Sequence, residues 1–166
     1  MSAPPDRHAL RAAIEDVLYA GVLHLDAAQF SEWLELTTPE FQYRIVAFSP
    51  EIRRDMTWLE HDQNGLRGLF ALLPKHHVDH APWLRHAVLY RLELADTDQL
   101  NTVTSLAVYR TAEDTGDSHI TGGSSQLFVV GRYHDRFKRI GERWLLDDRT
   151  VRLETRQLGL GSHMIV

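Results

Sequence analysis

The chain has 166 residues, of which 43% are hydrophobic and 25% charged. This length fits a single domain over residues 1–166 with one core, and the composition excludes disorder for most of the chain. The formal net charge of −5 argues against sequence-independent nucleic-acid binding, which depends on Lys and Arg. Because the chain has no cysteine, it can form no disulfide, no thiolate nucleophile and no Cys-ligated zinc or iron–sulfur cluster.

Targeting segments are not evident in the sequence. No uninterrupted apolar run approaches the roughly 18 residues of a membrane span, so we expect no contact with a membrane. Residues Met1 to Arg11 contain prolines and charges where a secretory signal would be apolar. We therefore expect a cytoplasmic protein.

The first helix is predicted from a cap and an apolar face. Asp6 follows two prolines and can cap a helix that ends near Gly21 to His24. Its buried face would consist of residues at helical spacing, namely Leu10, Ile14, Val17 and Leu18.

A second, shorter helix is predicted from a capping box, in which the side chains of Asp26 and Gln29 reach each other's main-chain N–H groups. Pro39 closes this segment. The buried face of the helix would consist of Phe30, Trp33 and Leu34.

From Glu40 to Phe48 the hydrophobic pattern changes to period two, which predicts a strand with one wet face. The stretch Arg53 to His61 fits either a short strand or an irregular loop. Asn64 can then cap a third helix, which Pro74 stops. The residues with alternating or helical spacing in these segments are Phe41, Tyr43 and Ile45, and then Leu66, Leu69, Phe70 and Leu73.

The second half of the chain predicts strands only. Gly131, in the middle of the third of them, is a natural site for a β-bulge that bends the sheet. Helices followed by antiparallel strands indicate an α+β fold, a strongly curved, mostly antiparallel sheet wrapped as a cone over the N-terminal helices. The predicted strands are Arg85 to Leu94, Leu100 to Arg110, Ser125 to Phe137 and Arg143 to Leu153.

Three stretches of the chain carry a resemblance to one family. They are Phe30-Ser-Glu-Trp33-Leu34-Glu-Leu36 with Phe41-Gln-Tyr43, then Trp83-Leu-Arg85-His86, and then Gly131-Arg132-Tyr133-His134-Asp135-Arg136-Phe137 with Trp144-Leu-Leu-Asp-Asp-Arg149-Thr-Val151-Arg-Leu153. Together they resemble the small (β) subunit of the aromatic-ring-hydroxylating dioxygenases, a branch of the nuclear-transport-factor-2-like (cystatin-like) cone folds. None of these motifs is catalytic.

The resemblance implies a function without chemistry in this chain. It implies a β subunit of a Rieske-type oxygenase of aromatic compound catabolism, which scaffolds an α subunit. The Rieske iron–sulfur cluster and the mononuclear iron would lie on that α subunit, and this chain would hold no cofactor. The resemblance further implies a homotrimer of β chains within an α3β3 assembly.

The residues that match the family have structural readings. Large aromatic side chains such as Trp33, Tyr43 and Trp144 are expected in the core or the cavity wall. Asp135 and Arg149 lie on neighbouring strands of the predicted closing hairpin, so we expect a cross-strand pair. Gly131 is the remaining residue that matches the family, and we expect a structural role for it as well. For the interface with a partner chain we expect residues from the third strand and from the apolar tail Leu158 to Val166, namely Arg132, Tyr133, Arg136, Leu158 and Met164.

Ten histidines make a metal site worth considering. His76 and His80 have the i, i+4 spacing that places two imidazoles on one helical face, with His77 and Asp79 close by. The segment lies between two prolines, however, where a continuous helix is disfavoured. A histidine-rich surface loop is therefore favoured over a metal site.

Two other classes of function stay open. Many single-chain relatives of the cone fold are isomerases, dehydratases or hydrolases with a His or Asp general base in the cavity. In that class the candidate catalytic residues here are Tyr43, His61, Asp62 and His86. The third class is a homo-oligomeric module that binds a small molecule without chemistry.

Overall fold

The fold is taken from a computed structural model, which describes residues 6–76, 81–113, 122–156 and 165–166. Three helices and six strands follow one another along these ranges. The helices are α1 (Arg7–Asp26), α2 (Phe30–Leu34) and α3 (Gln63–His76). The strands are β1 (Thr37–Ser49), β2 (Arg54–Asp62), β3 (Trp83–Leu94), β4 (Gln99–Thr111), β5 (Ser125–Ile140) and β6 (Arg143–Leu153).

The six strands form one sheet in the order β2-β1-β6-β5-β4-β3. Every neighbouring pair is antiparallel except β1 and β6, which run parallel. This one parallel pair joins the hairpin β1–β2 to the antiparallel meander β3–β6. The predicted α+β class with a mostly antiparallel sheet is therefore confirmed.

The cap of α1 lies where the sequence predicts it, because the Asp6 carboxylate accepts a hydrogen bond of 3.0 Å from the His8 N–H. The predicted end of α1 and the capping box are wrong. The helix continues to Asp26, whose carboxylate binds Arg85 on β3, and Gln29 makes no side-chain cap bond. An ion pair with a residue distant in the sequence takes the place of the predicted local capping hydrogen bonds.

The segment around β1 and β2 differs from the prediction at its ends. β1 begins at Thr37, so Pro39 lies inside the strand rather than closing a helix. Pairing with β2 runs from Gln42 to Ser49, so the missing N–H of Pro39 costs no bond to β2. The ambiguous stretch that follows is a strand, β2.

The helix α3 begins one residue before the predicted cap, Asn64. Instead the carboxylate of Asp62 accepts a hydrogen bond of 2.7 Å from the Gly65 N–H at the first turn. Pro74 does not stop the helix, which ends at His76. A proline in the last turn removes only one main-chain hydrogen bond, so the helix tolerates it there.

Gly131 does not form the predicted bulge. The register shifts of β5 lie between the partners Val108 and Tyr109 on β4 and between Arg136 and Phe137. At Gly131 a Cβ atom would lie 2.4 Å from the main-chain oxygen of Arg152. A glycine is required at this position because β6 approaches the β5 backbone too closely for a side chain.

The core lies between α1 and the inner face of the sheet. Trp33 is packed edge-on against Phe41 and Tyr43, with ring centroids 5.7 and 6.0 Å away. Trp144 is only partly buried and packs against the same core. The aromatic side chains that the sequence places in the core are therefore found there.

Candidate functional site in the sheet interior

A row of polar side chains crosses the inner face of the sheet. Arg149 on β6 lies opposite Tyr43 on β1 and opposite Asp135 on β5. On β4, Thr102 lies opposite Asp135 and Thr104 lies opposite Tyr133. All of these residues are buried, although an inner sheet face is normally apolar.

Asp135 and Arg149 form the predicted cross-strand pair. The Arg149 Nε and Nη2 donate to the two carboxylate oxygens of Asp135 at 2.9 and 2.7 Å, and both side chains are at most 2% exposed. The Arg149 guanidinium also lies 3.8 Å from the centroid of the Tyr133 ring. Burial alone would lower the pKa of Arg149, but the charge and hydrogen bonds of Asp135 raise it above its ordinary value. Arg149 therefore keeps its positive charge and is not poised to donate a proton.

The Tyr43 hydroxyl is fully buried and bound to the main chain of Val166. It donates to the Val166 oxygen at 3.0 Å and accepts from the Val166 N–H at 3.1 Å. Burial is the largest cause that raises the pKa of Tyr43, and it raises the pKa of Tyr133 too. Both phenols are neutral, so neither is a phenolate base.

A second buried ion pair connects β3 to α1. The Arg85 Nη1 donates to the Asp26 carboxylate at 2.6 Å, and the Arg85 main-chain N–H donates to the same carboxylate at 3.1 Å. The Arg85 Nη2 donates to the main-chain oxygen of Ile165 at 2.6 Å. Sequence reasoning missed this pair. A usable signal was present, because the alternation that buries Trp83 and Leu89 puts Arg85 on the inner face as well.

The four candidate general bases do not form a site together. His61 is the cross-strand partner of Tyr43, but it is only half-buried at the edge strand β2. Asp62 is exposed and caps α3. His86 is exposed on the outer face of β3, where its ring contacts Tyr109 with centroids 5.3 Å apart. His86 therefore does not face the interior of the cone, since it alternates with the buried Arg85.

The predicted partner-interface residues are divided between the two faces of the sheet. Arg132 is exposed and pairs with Glu154, and Arg136 pairs with Asp147. Tyr133 is fully buried under Arg149, so its assignment to the interface is wrong, because the strand alternation turns it inward. Leu158 and Met164 lie outside the described residues.

The end of the predicted apolar tail belongs to the chain's own core. Ile165 and Val166 are 2% and 3% exposed and are members of the core cluster. The prediction that this part of the tail packs against a neighbouring chain is wrong, since its main chain is held by Tyr43 and Arg85.

Neither a metal cluster nor a membrane-spanning helix is found within the described ranges. There, no group of three or more His, Cys, Asp or Glu side chains is close enough to hold a metal ion. His80 and the side chain of His76 lie outside those ranges. Among the helices described, none combines the length and hydropathy of a bilayer crossing.

The outer face of the sheet carries an exposed apolar row across three strands. Leu84 on β3, Tyr109 on β4 and Leu127 on β5 are successive cross-strand partners. Leu84 and Leu127 are each 54% exposed, and Val88 on β3 is 53% exposed. We call these four residues the outer row. Apolar side chains exposed together on one sheet face are typical of an interaction site.

Known proteins resemble this chain over almost its whole length. The family model of the SnoaL-like domain matches residues 6–150. The hydroxylase β subunit of methanesulfonate monooxygenase from Methylosulfonomonas methylovora is 40% identical over 152 residues, covering 91% of this chain and 84% of that protein. The β subunit of 2-aminobenzenesulfonate 2,3-dioxygenase from Alcaligenes sp. is 28% identical over 152 residues, covering 92% and 96%.

A solved structure confirms the fold. The protein described as the β subunit of an aromatic-ring-hydroxylating dioxygenase from Novosphingobium aromaticivorans superimposes with a TM-score of 0.79. The superposition covers 96% of this chain and 98% of that one, at 20% identity. The cone fold predicted from the sequence motifs is thereby confirmed.

Proposed function

Since the chain belongs to the SnoaL-like domain family and, within it, to the β subunits of ring-hydroxylating oxygenases, we propose that it is a non-catalytic subunit that scaffolds an α subunit. The observation that carries this proposal is the 40% identity, over 91% of the chain, to a hydroxylase β subunit. The Rieske cluster and the mononuclear iron belong to the α subunit in this proposal. The absence of cysteine agrees with it, because a Rieske cluster needs cysteine ligands.

The interior of the cone supports a scaffold rather than a catalyst. The buried carboxylate of Asp135 on the inner face and the partly buried carboxylate of Asp26 at the end of α1 are each bound by an arginine. A general base needs a free carboxylate or imidazole within reach of a substrate proton. The candidate bases His61, Asp62 and His86 lie at the edge or on the outside of the sheet, so the arrangement favours no stand-alone isomerase, dehydratase or hydrolase.

The outer row supports assembly with other chains. β3 is an edge strand of the sheet, and an exposed edge with apolar side chains is an aggregation hazard unless another chain covers it. We propose that the outer row is buried when the β chains form a homotrimer and join α subunits in an α3β3 hexamer. Obligate interfaces of this kind are more apolar than the rest of the surface.

Reconstitution with an α subunit, a chain that carries the Cys/His Rieske signature, tests the proposal. The β chain alone should show no turnover, and the variants His61→Gln and Asp62→Asn should leave turnover of the complex within a few-fold of the parent. Loss of a general base would instead reduce turnover by about 10²- to 10⁴-fold. A loss of that size, with the hexamer intact by light scattering, would refute the scaffold role.

Assembly is tested separately with charge on the outer row. Leu127→Asp should shift the complex toward free subunits, because burying an unpaired carboxylate at an interface is unfavourable. Ile140→Asp is the matched control, since Ile140 lies at the other end of β5 and is 46% exposed. Turnover should fall only in proportion to the assembled fraction. Equal effects of the two variants, or none, would remove the outer row from the interface.

A further inference from the structure

A polar cavity lies on the outer face of the sheet, farther along the strands than the outer row. It has a volume of about 340 Å³ and is lined by residues of β3, β4, β5 and β6. Four of these residues, Glu93, Asn101, Arg136 and Asp148, are successive cross-strand partners. The pairing of four strands therefore fixes the walls of the cavity. Its volume lies at the small end of the range for ligand pockets, which suits a single side chain.

The two arginines that line this cavity are already paired with carboxylates. The Arg136 Nε and Nη2 each lie 2.8 Å from the same carboxylate oxygen of Asp147. Arg91 donates to Glu93 from Nε, at 2.7 Å, and from Nη2. An anionic ligand would have to compete with these carboxylates for the same donors. The cavity is therefore a poor site for an anion.

The carboxylate of Asp148, in contrast, is only weakly paired. Its side chain is 18% exposed, and among the described residues its one hydrogen bond is a long one of 3.3 Å, from Arg44 Nη2 to Oδ2. Burial raises the pKa of Asp148, Arg44 offsets only part of this effect, and the nearby carboxylates of Asp135 and Asp147 add to it. A second cation in the cavity would therefore find a free carboxylate oxygen and would stabilise the ionised form of Asp148.

A cation of the matching kind projects from the turn between β1 and β2, which we call the hairpin tip (residues 50–53). Arg53 is exposed, and its side chain forms no ion pair with the described residues. Its φ angle of 52° lies in the left-handed region, where glycine is unstrained and other residues are rare. Residues held in such conformations are concentrated at functional sites. Beside it, Ile52 is 49% exposed. The hairpin tip therefore presents an unpaired guanidinium and an apolar side chain to the surroundings.

The hairpin tip and the cavity of one chain cannot meet. Gln42 is the neighbour of Asp148 on β1, and β1 continues from there to Ser49, about 23 Å along the strand, before the tip begins. A tip of four residues is too short to return over that distance. Only a second copy of the chain can bring Arg53 to the cavity. Such a contact joins two different surfaces, and contacts of this kind close into rings such as a trimer.

We propose that the cavity receives the Arg53 side chain of a neighbouring β chain, whose guanidinium binds the carboxylate of Asp148. This inference rests on the proposed homotrimer, of which it names one contact. Each chain of the ring supplies one hairpin tip and one cavity. The planar guanidinium suits the contact because it can give two parallel hydrogen bonds to one carboxylate. The outer row lies on the same face of the sheet, so the same neighbour covers both.

The test is a double-mutant cycle on the full chain, read by sedimentation equilibrium. Arg53→Gln and Asp148→Asn should each weaken self-association by about tenfold, because each removes one charge of the pair. The double variant should be weakened by about the same tenfold rather than a hundredfold. Arg143→Gln is the matched control, since Arg143 is exposed at the start of β6, and should leave association within about twofold. Far-ultraviolet circular dichroism verifies that every variant folds.

Salt provides a measurement that needs no variant of Asp148. Between about 0.05 and 0.5 M NaCl the association of the parent should weaken, and that of Arg53→Gln should weaken less, because screening acts on the ion pair. The proposal is overturned if Arg53→Gln associates like the parent, or if the effects of the two single variants multiply in the double variant. A parent chain that stays monomeric would refute the homotrimer as well, whereas a trimer that is insensitive to Arg53→Gln would refute this contact alone.

Discussion

Replacing Gly131 by alanine should destabilise the sheet at its centre. The new Cβ atom would lie 2.4 Å from the main-chain oxygen of Arg152 and 3.0 Å from the Cα of Leu153. Ordinary contacts of a Cβ atom begin near 3.4 Å. The β6 backbone would therefore have to move by about 1 Å, and main-chain atoms within a sheet cannot rotate away as a side chain can.

The size of the effect follows from this displacement. Overpacking of a well-packed core typically costs about 1–3 kcal/mol, and a clash with backbone lies at the upper end. For a chain of this length, that corresponds to a fall in melting temperature of about 5–10 °C. Far-ultraviolet circular dichroism during heating measures it on the purified chain.

Gly68→Ala is the matched control for this prediction. Gly68 lies inside α3, and no heavy atom lies within 4 Å of the position that an alanine methyl group would take there. Alanine should therefore stabilise the helix by up to about 1 kcal/mol. The two identical substitutions should thus have opposite signs. If Gly131→Ala melts within about 1 °C of the parent, the close approach of β6 is not the reason for this glycine.

Two further predictions concern the buried polar row. Asp135→Asn should lower the free energy of unfolding in urea by about 3–5 kcal/mol, because it leaves the Arg149 charge buried and unpaired, whereas Glu154→Gln, in an exposed ion pair, should change it by less than about 0.5 kcal/mol. Equal effects would contradict the role of burial. Burial raises the pKa of Tyr43 and of Tyr133, so the folded chain retains protons that the unfolded chain releases above pH ~10. This contribution to stability is complete below pH ~10 and should decline above it by up to about 1.4 kcal/mol per pH unit for each tyrosine. In urea unfolding at alkaline pH, Tyr43→Phe should roughly halve the slope of the free energy of unfolding against pH. An unchanged slope would show that Tyr43 ionises in the folded state.

The strands of the sheet were largely predictable because each has one buried face and one face that is exposed to solvent. Phe41, Tyr43 and Ile45 alternate with partly exposed residues, and all three are in the core. The bounds of β6 agree with the prediction at both ends, Arg143 and Leu153. Period-two alternation depends on which face of a strand is buried and not on which strand is its neighbour, so it can be recognised from the sequence alone.

The ends of helices were harder, since their local signals compete with distant partners. Asp26 has the right spacing for a capping box with Gln29, but its carboxylate binds Arg85, which is 59 residues away in the sequence. Asp62 and Asn64 are both good caps, and the choice between them depends on where β2 ends. Local sequence does not contain that information.

The interior site was predictable only where the chain brings its members together locally. Asp135 and Arg149 face each other across a short turn, so strand alternation is enough to pair them. Tyr43 and Val166 are 123 residues apart, and no periodic pattern connects them. The same is true of Arg85 and Ile165. Contacts of this kind follow from the curvature of the whole sheet.

The parallel pair of β1 with β6 governs the order in which the chain can fold. β1 is the partner of a strand that lies about a hundred residues later, so its second edge stays open until β6 exists. At translation rates of about 5–20 residues per second, that interval lasts on the order of 5–20 s. During synthesis the hairpin β1–β2 is therefore a two-stranded sheet with one unpaired edge, while β3, β4 and β5 can already pair with one another. In the last step, the hairpin β1–β2 docks onto the sheet β3–β6 through the single pairing of β1 with β6. A nascent chain stalled before β6 would leave that edge of β1 unpaired and open to strands of other chains.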